Sequence, residues 1–442
     1  MRNQDKLLAS AACLCALLCC PRPAAAQIQI ISDQSTTSLS YAGEAPSPSG
    51  VNAELETSLL RDTNVFSNNE RPFSDFIFQE GALVNLWKTE PRWNLALQYR
   101  PTLMAYDNET SLDNFDQSLD FTGQYSFTQR LRFRGTENFG YFTGFLQPIS
   151  DEYFSLPTSP FGTLNSNLIV PTSRDLSEGS EGHIDYDVSP RGSLDLMGGY
   201  AIQNFSGINS PQQGVLPADL LNTSGTTGGA SYQYRVTQEF TLGARYVYQS
   251  FHYGLGGSDE TNTAFATAHW SVGPRVDFDL YGGPSFSRTY GGPYLAPSES
   301  ETTVSFNTLG PSVGGTFTLR SDQTVFDITA QRSVSSGGGL LMTVTDSYEG
   351  AEFRRQLGDN WDFVLIANNA RSVALQTEPD RGKVESDSAG AAFEHPLFSK
   401  LSVHFEYDYL RQRVNNYVPL GTNVNESQYV VSLFYRLGEP RL

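Results

Sequence analysis

The sequence predicts an all-β chain, a transmembrane antiparallel up-and-down β-barrel of about 18 strands, with 16–20 tolerated by the same pattern. Three observations lead there. Apolar and polar residues alternate with period two beyond residue 50, short connections alternate with long ones, and the 442-residue chain opens with an export leader. No later run of 18 apolar residues could cross a membrane as a helix, so a membrane protein must cross with strands.

The expected leader covers 1–26. Arg2 and Lys6 form a positive start, residues 7–20 an apolar run of 14 residues, and Ala24, Ala25 and Ala26 a small-residue cleavage site before Gln27. A spanning helix needs roughly 20 apolar residues, so the run reads as a signal peptide rather than an anchor. All four cysteines (Cys13, Cys15, Cys19, Cys20) lie inside it. The mature chain then has no thiol for a disulfide, a nucleophile or a zinc site. Removing Arg2, Lys6, Arg22 and Asp5 with the leader leaves 26 basic and 47 acidic residues, a net charge of −21. Nucleic acid, which requires a basic surface, is excluded as a partner.

Residues 27–50 lack sustained alternation and end in the strand-poor run Ala45-Pro46-Ser47-Pro48-Ser49-Gly50, which reads as a flexible periplasmic lead-in, with a small lumen plug as the other reading. The barrel is expected over 51–442. Its alternation is clearest in Trp93, Leu95, Leu97 and Tyr99 against Asn94, Gln98 and Arg100, and in Phe240, Leu242, Ala244, Tyr246 and Tyr248 against Thr241, Gly243 and Arg245. It recurs in Leu401, Val403, Phe405, Tyr407 and Tyr409 against Ser402, His404, Glu406 and Asp408.

Eight short polar turns are expected at Glu90-Pro91, Gln129-Arg130, Pro190-Arg191, Gln238-Glu239, Pro274-Arg275, Asp322-Gln323, Asp359-Asn360 and Ser399-Lys400. Each joins two runs of about 9–14 residues, the length of a tilted spanning strand. One run before them (52–60) and one after (428–437) complete the eighteen. The links 147–178, 206–226, 253–261, 290–301 and 415–427 are rich in Gly, Pro, Ser, Asn and Asp. Tight turns on the periplasmic side and long loops outside are the asymmetry of an outer-membrane barrel. Trp93, Trp361, Phe127, Phe240 and Phe398 stand beside tight turns, where a periplasmic aromatic girdle belongs.

With these features the chain resembles porin-type outer-membrane β-barrel proteins, including barrels found with exopolysaccharide systems. The resemblance is carried by the opening run Ala53-Glu54-Leu55-Glu56-Thr57-Ser58-Leu59-Leu60-Arg61-Asp62-Thr63-Asn64-Val65-Phe66, similar to the first strand and loop of such barrels, and by the closing run Tyr429-Val430-Val431-Ser432-Leu433-Phe434-Tyr435-Arg436-Leu437. It implies the bacterial outer membrane as location. As partners it implies outer-membrane lipid and lipopolysaccharide, the barrel-assembly machinery, and small hydrophilic solutes or polysaccharide.

Catalytic chemistry has no foothold in the pattern. The histidines (His183, His252, His269, His395, His404) are scattered without metal spacing, and the glycine-rich run at 335–339 lacks the Lys and helix of a phosphate loop, so it reads as a flexible turn. No enzyme, cofactor or metal is expected. The expected pore lining is Arg100, Asp120, Arg132, Arg134, Asp195, Arg245, Asp277, Asp279, Asp327, Asp362, Glu406 and Asp408, with Arg436 on the same face, because charged wall positions need water.

Asp195, Asp277, Asp279, Asp327 and Asp362 follow tight turns closely and should form an acidic periplasmic vestibule of modest cation preference, with the arginines mostly elsewhere. Charges paired across the wall without selectivity are the other reading. The apolar positions Phe154, Leu156, Phe161 and Leu168 mark a loop expected to fold across the mouth as a constriction. The expected function is an outer-membrane channel for passive diffusion of small hydrophilic solutes or for polysaccharide export. The alternative is a non-conducting surface barrel whose acidic loops (107–116, 258–260, 298–301, 378–387) serve adhesion or partner binding.

Overall fold

The structure, a computed structural model, describes residues 49–437 except 68, 71, 144–172, 208–219, 255, 292–304, 359–360, 376–381 and 416–422. Eighteen strands run β1 (Ser49–Asp62), β2 (Asp75–Glu90), β3 (Trp93–Tyr106), β4 (Asn114–Ser126), β5 (Leu131–Thr143), β6 (Arg174–Asp187), β7 (Gly192–Ser206), β8 (Thr223–Arg235) and β9 (Phe240–Tyr253). They continue as β10 (Ser258–Val272), β11 (Val276–Tyr290), β12 (Ser305–Arg320), β13 (Thr324–Gly337), β14 (Leu341–Leu357), β15 (Trp361–Ala374), β16 (Lys383–Phe398), β17 (Leu401–Val414) and β18 (Val424–Arg436). Each strand pairs antiparallel with its sequence neighbours, and β1 pairs with β18 from Glu54↔Arg436 to Asp62↔Gln428. The sheet closes on itself. The expected fold, an antiparallel up-and-down barrel of 18 strands, is the observed one.

The tight turns share a local device. In three of them a hydroxyl at the turn's start accepts backbone N–H bonds from residues two and three positions on. Thr128 accepts from Arg130 and Leu131, Ser189 from Arg191 and Gly192, and Thr237 from Glu239 and Phe240. A Ser or Thr hydroxyl thus satisfies the amides that a two-strand reversal leaves unpaired. At the opposite end several strands start earlier than their composition predicts. Glu178 lies inside β6, Thr226 inside β8, Glu260 inside β10, Ser427 inside β18, and Asp116, Glu385 and Asp387 inside β4 and β16. Their Gly, Ser and acidic character reads as loop, but cross-strand pairing overrides weak strand propensity where both neighbours are already in register.

The two faces of the wall differ in chemistry. Leu59, Phe78, Leu103, Phe121, Leu196, Leu280, Ile328, Leu365, Phe405 and Val431 are among many large apolar side chains exposed on the exterior. A water-soluble protein does not leave apolar surface of this extent uncovered. On the interior face stand Asn52, Glu54, Glu56, Gln98, Thr122, Asp277 and Asp327, with partners across the ladder. Polarity is inside out relative to a sandwich, as lipid on the outside demands.

Exterior glycines occupy one register row of β4 to β8: Gly123, Gly135, Gly182, Gly198 and Gly228. A Cβ on Gly198 would meet nothing nearer than the Thr227 carbonyl at 3.9 Å, whereas one on the interior Gly283 would lie 1.7 Å from the Ala264 carbonyl, where the β10–β11 ladder skips a step. Gly198→Ala should therefore stabilise the barrel by about 0.5–1 kcal/mol, while Gly283→Ala destabilises it. Urea unfolding in lipid vesicles measures both, and a destabilised Gly198→Ala would show that the row is needed for something else. Leu365→Arg, on the lipid face, should cost about 2–4 kcal/mol near the midplane, against less than about 1 kcal/mol for Thr122→Arg on the interior.

Candidate functional site

Interior side chains form two zones along the barrel axis. At the short-turn end Asn52, Asn94, Gln98, Asp277 and Thr316 are half-buried, whereas at the long-loop end Asp62, Ile77, Asp259, Thr261, Ser372 and Gln428 are wholly buried. Side chains are thus less covered at the short-turn end than at the long-loop end.

Charge pairing organises the lower zone. On β5 to β7, Arg134 donates through Nε and Nη2 to Asp185 at 2.7 and 3.1 Å and approaches Asp195 at 3.7 Å. His183 stands between Asp195 (2.9 Å from Nδ1) and Glu181 (2.6 Å from Nε2). Arg245, on β9, reaches toward the same group with its guanidinium 2.7 Å from the Met197 sulfur. Arg132 pairs with Asp187 at 3.4 Å, and Asn138 donates to Asp120.

A second group lines β10 to β14. Asp277 takes Arg320 at 2.5 Å and the Ser271 hydroxyl at 2.6 Å, Asp279 contacts His269 Nδ1 at 2.7 Å, Thr318 donates to Asp327 at 2.5 Å, and Arg354 pairs with Glu352. The third group closes the seam: Arg436 donates to Glu54 at 2.8 Å and to Glu394 at 3.3 Å, while His404 contacts Glu406 at 3.0 Å.

Ladder parity puts all twelve expected lining residues on the interior face. Arg100, Asp120 and Asp362 sit half-buried on it, and Glu406 and Asp408 are buried. The expected separation of acids from arginines does not hold, since Arg320 stands on Asp277 and Arg134 near Asp195. Pairing on neighbouring strands is the physical reason: an unpaired charge on a crowded wall costs more than a paired one. Residues missed in the sequence are Glu54, Glu181, Asp185, Arg320, Glu352, Arg354 and Glu394, which the two-residue period counted along each strand would have found. No group of three or more His, Cys, Asp or Glu fit to hold a metal occurs among the described residues.

A short hairpin apex packs into the upper zone. Gly338 and Gly339 have φ of +56° and +84°, a left-handed path suited to glycine, and carry Leu340, Leu341 and Met342 into the barrel, all nearly or wholly buried. The Leu221 N–H donates to the Gly339 carbonyl at 2.9 Å, and the Tyr253 and Thr343 hydroxyls hydrogen-bond at 2.8 Å. A Cβ on Gly339 would strike the Phe205 ring. One apolar cluster thus joins Phe205 on β7 and Leu220 to Leu340, Leu341, Val344, Ala374 and Val384 on β16, nine strands around the barrel and hence opposite.

A second cluster packs Val65 and Phe66, from the β1–β2 connection, against Leu60, Ile77, Met104 and Tyr106. The run read as a flexible turn at 335–339 is therefore a buried tip, because the apolar residues after it seek cover. The expected constriction residues Phe154, Leu156, Phe161 and Leu168 lie outside the described residues.

No family model matches the sequence, and no curated protein matches it. Among solved structures, OccAB3 of Acinetobacter baumannii aligns at 11% identity over 88% of this chain and 99% of that one, with a TM-score of 0.42. OccK2 (OpdF) of Pseudomonas aeruginosa, in complex with glucuronate, aligns at 10% identity over 88% and 98%, TM-score 0.43. A BenF-like porin from Pseudomonas fluorescens Pf-5 aligns at 12% identity over 88% and 98%, TM-score 0.42.

Leu340→Ala should cost about 2–5 kcal/mol. Replacing Leu340, Leu341 and Met342 by Ser should raise single-channel conductance if the tip sets the mouth; unchanged conductance in a folded variant would sink that assignment.

Proposed function

We propose that the protein is an outer-membrane channel for passive diffusion of small hydrophilic solutes, neutral or cationic. The apolar exterior above tight aromatic-flanked turns supports residence in the bacterial outer membrane. The observation that carries the channel reading is the half-buried polar wall of the lower lumen. There the acids Glu54, Asp120, Asp195, Asp277, Asp279 and Asp327 share the interior face with Asn52, Asn94 and Gln98, which can replace a solute's hydration, while Arg436, Arg134 and Arg320 pair with Glu54, Asp195 and Asp277. Expected lining residues Arg100, Asp120, Arg132, Arg134, Asp195, Arg245, Asp277, Asp279, Asp327 and Asp362 form the vestibule in this reading, and Glu406 and Asp408 the packed zone.

Export of polysaccharide fits a neutral glycan better than an anionic one, which these acids would repel. A non-conducting surface barrel is the second reading, favoured by the apolar cluster that spans the long-loop end.

Planar-bilayer recording of the mature protein under a salt gradient tests the proposal. Stable steps with a reversal potential of cation-selective sign are expected, and Asp277→Asn, Asp279→Asn and Asp327→Asn together should move that potential toward zero. Anion selectivity would overturn the solute class. A folded, inserted barrel without steps would favour the second reading.

A further inference from the structure

Not every acid of the lumen is matched with a base. Asp62 at the end of β1 and Glu426 near the start of β18 are 0% and 2% exposed, and their carboxyl groups are in hydrogen-bond contact with each other. Ionised carboxylates only accept hydrogen bonds, so this contact requires one proton held between the two groups. The amide of Gln428, the register partner of Asp62, donates to Asp62 at 3.3 Å and to Glu426 at 2.7 Å.

Among the described residues no basic group serves this pair. On the interior of β17, β18, β1 and β2 the basic side chains are His404, which contacts Glu406, and Arg436, which pairs with Glu54 and Glu394; both stand toward the short-turn end. The titratable groups that face the pair from other elements are Asp75 on β2, Tyr106 on β3, Asp116 on β4 and, across Gln428, Asp408 on β17. Asp75 is held differently, since it accepts from the backbone amides of Phe76, Asn108 and Glu109, a setting that suits an ionised carboxylate. A second negative charge on the Asp62–Glu426 pair would be buried without a counter-charge.

The same two acids tie down the start of the β1–β2 connection. Asp62 accepts from the Asn64 N–H at 2.6 Å, and Glu426 accepts from the Ser67 hydroxyl at 3.2 Å. The Thr63 N–H donates to the Ser427 carbonyl at 3.1 Å, and the Ser427 N–H to the Thr63 hydroxyl at 2.8 Å. Between these ties Val65 and Phe66 are buried against Leu60, Ile77 and Met104. Ser67 has φ of +49°, a left-handed path that no other non-glycine residue among those described adopts. Its backbone is thus strained at the point where its hydroxyl meets Glu426.

We propose that Asp62 and Glu426 form a proton-dependent clasp that holds residues 63–67 inside the long-loop end of the lumen. When rising pH takes the shared proton into solvent, two facing carboxylates repel, the Ser67 tie is lost and the stretch is released. The effect on conduction rests on the channel reading; the clasp itself does not.

Hydrogen–deuterium exchange of the folded, detergent-solubilised mature protein tests the clasp. The amides of Thr63, Asn64, Val65 and Ser67 are followed from about pH 6 to about pH 9, with exchange corrected for its intrinsic pH dependence. Wild type should lose about tenfold or more of its protection as pH rises. Glu426→Gln, whose amide donates to Asp62 at every pH, should keep its protection constant. Wild-type protection that does not change over the range overturns the inference without any variant, as does a Glu426→Gln protein that follows the wild-type curve. In planar bilayers wild-type conductance should rise over the same range, and constant steps while protection is lost would overturn the placement of the stretch in the conducting path. Absence of steps from a barrel whose exchange follows pH would instead overturn the channel reading and leave the clasp standing.

Discussion

Everything in this molecule depends on the closing ladder between its first and last strands. A strand in hydrocarbon has no water to satisfy its amides and carbonyls, so an open edge is untenable there. Pairing of β1 with β18 over nine register positions removes both edges at once. The same seam carries lumenal chemistry, for Glu54 and Arg436 are at once ladder partners and an ion pair. Closure fixes which parity of every strand faces lipid, and that one choice distributes all the charges.

Once parity is fixed, the interior divides by how much water reaches it. In the lower lumen charged groups stay half-buried and pair sideways with the next strand, as Arg134 does with Asp185 and Arg320 with Asp277. In the upper lumen, water is displaced by chain. The Gly338-Gly339 apex delivers Leu340 and its neighbours across the axis to Phe205, and burial of each large apolar side chain stabilises that crossing by about 1.5–3 kcal/mol. The packing of the long-loop end rests on two connections, the one that carries Leu340 and the β1–β2 link that carries Val65 and Phe66.

The exterior obeys the reverse rule, and its exceptions are local. Charges stand on the outer face at several levels, among them Glu80, Glu137 and Arg332, and on β15–β17 they lie in register, with acids and bases alternating across strands. Glu385 and Asp387 belong by composition to an acidic loop; on the barrel they are strand residues that steady Lys383, Arg371 and Arg413.

The sequence by itself determined the barrel, its strand number, its turns and the parity of each strand, because these depend on a two-residue period and on turn residues that act locally. Trp93, Leu95 and Leu97 declare a lipid face without reference to anything distant. Tertiary structure alone decided which charges meet, since Asp277 and Arg320 lie on strands whose register is set by pairing rather than by spacing. It alone decided that the apex at 337–341 is buried, because the partners of that apex, Phe205 and Tyr253, are far away in the chain and are brought to it only when the barrel closes.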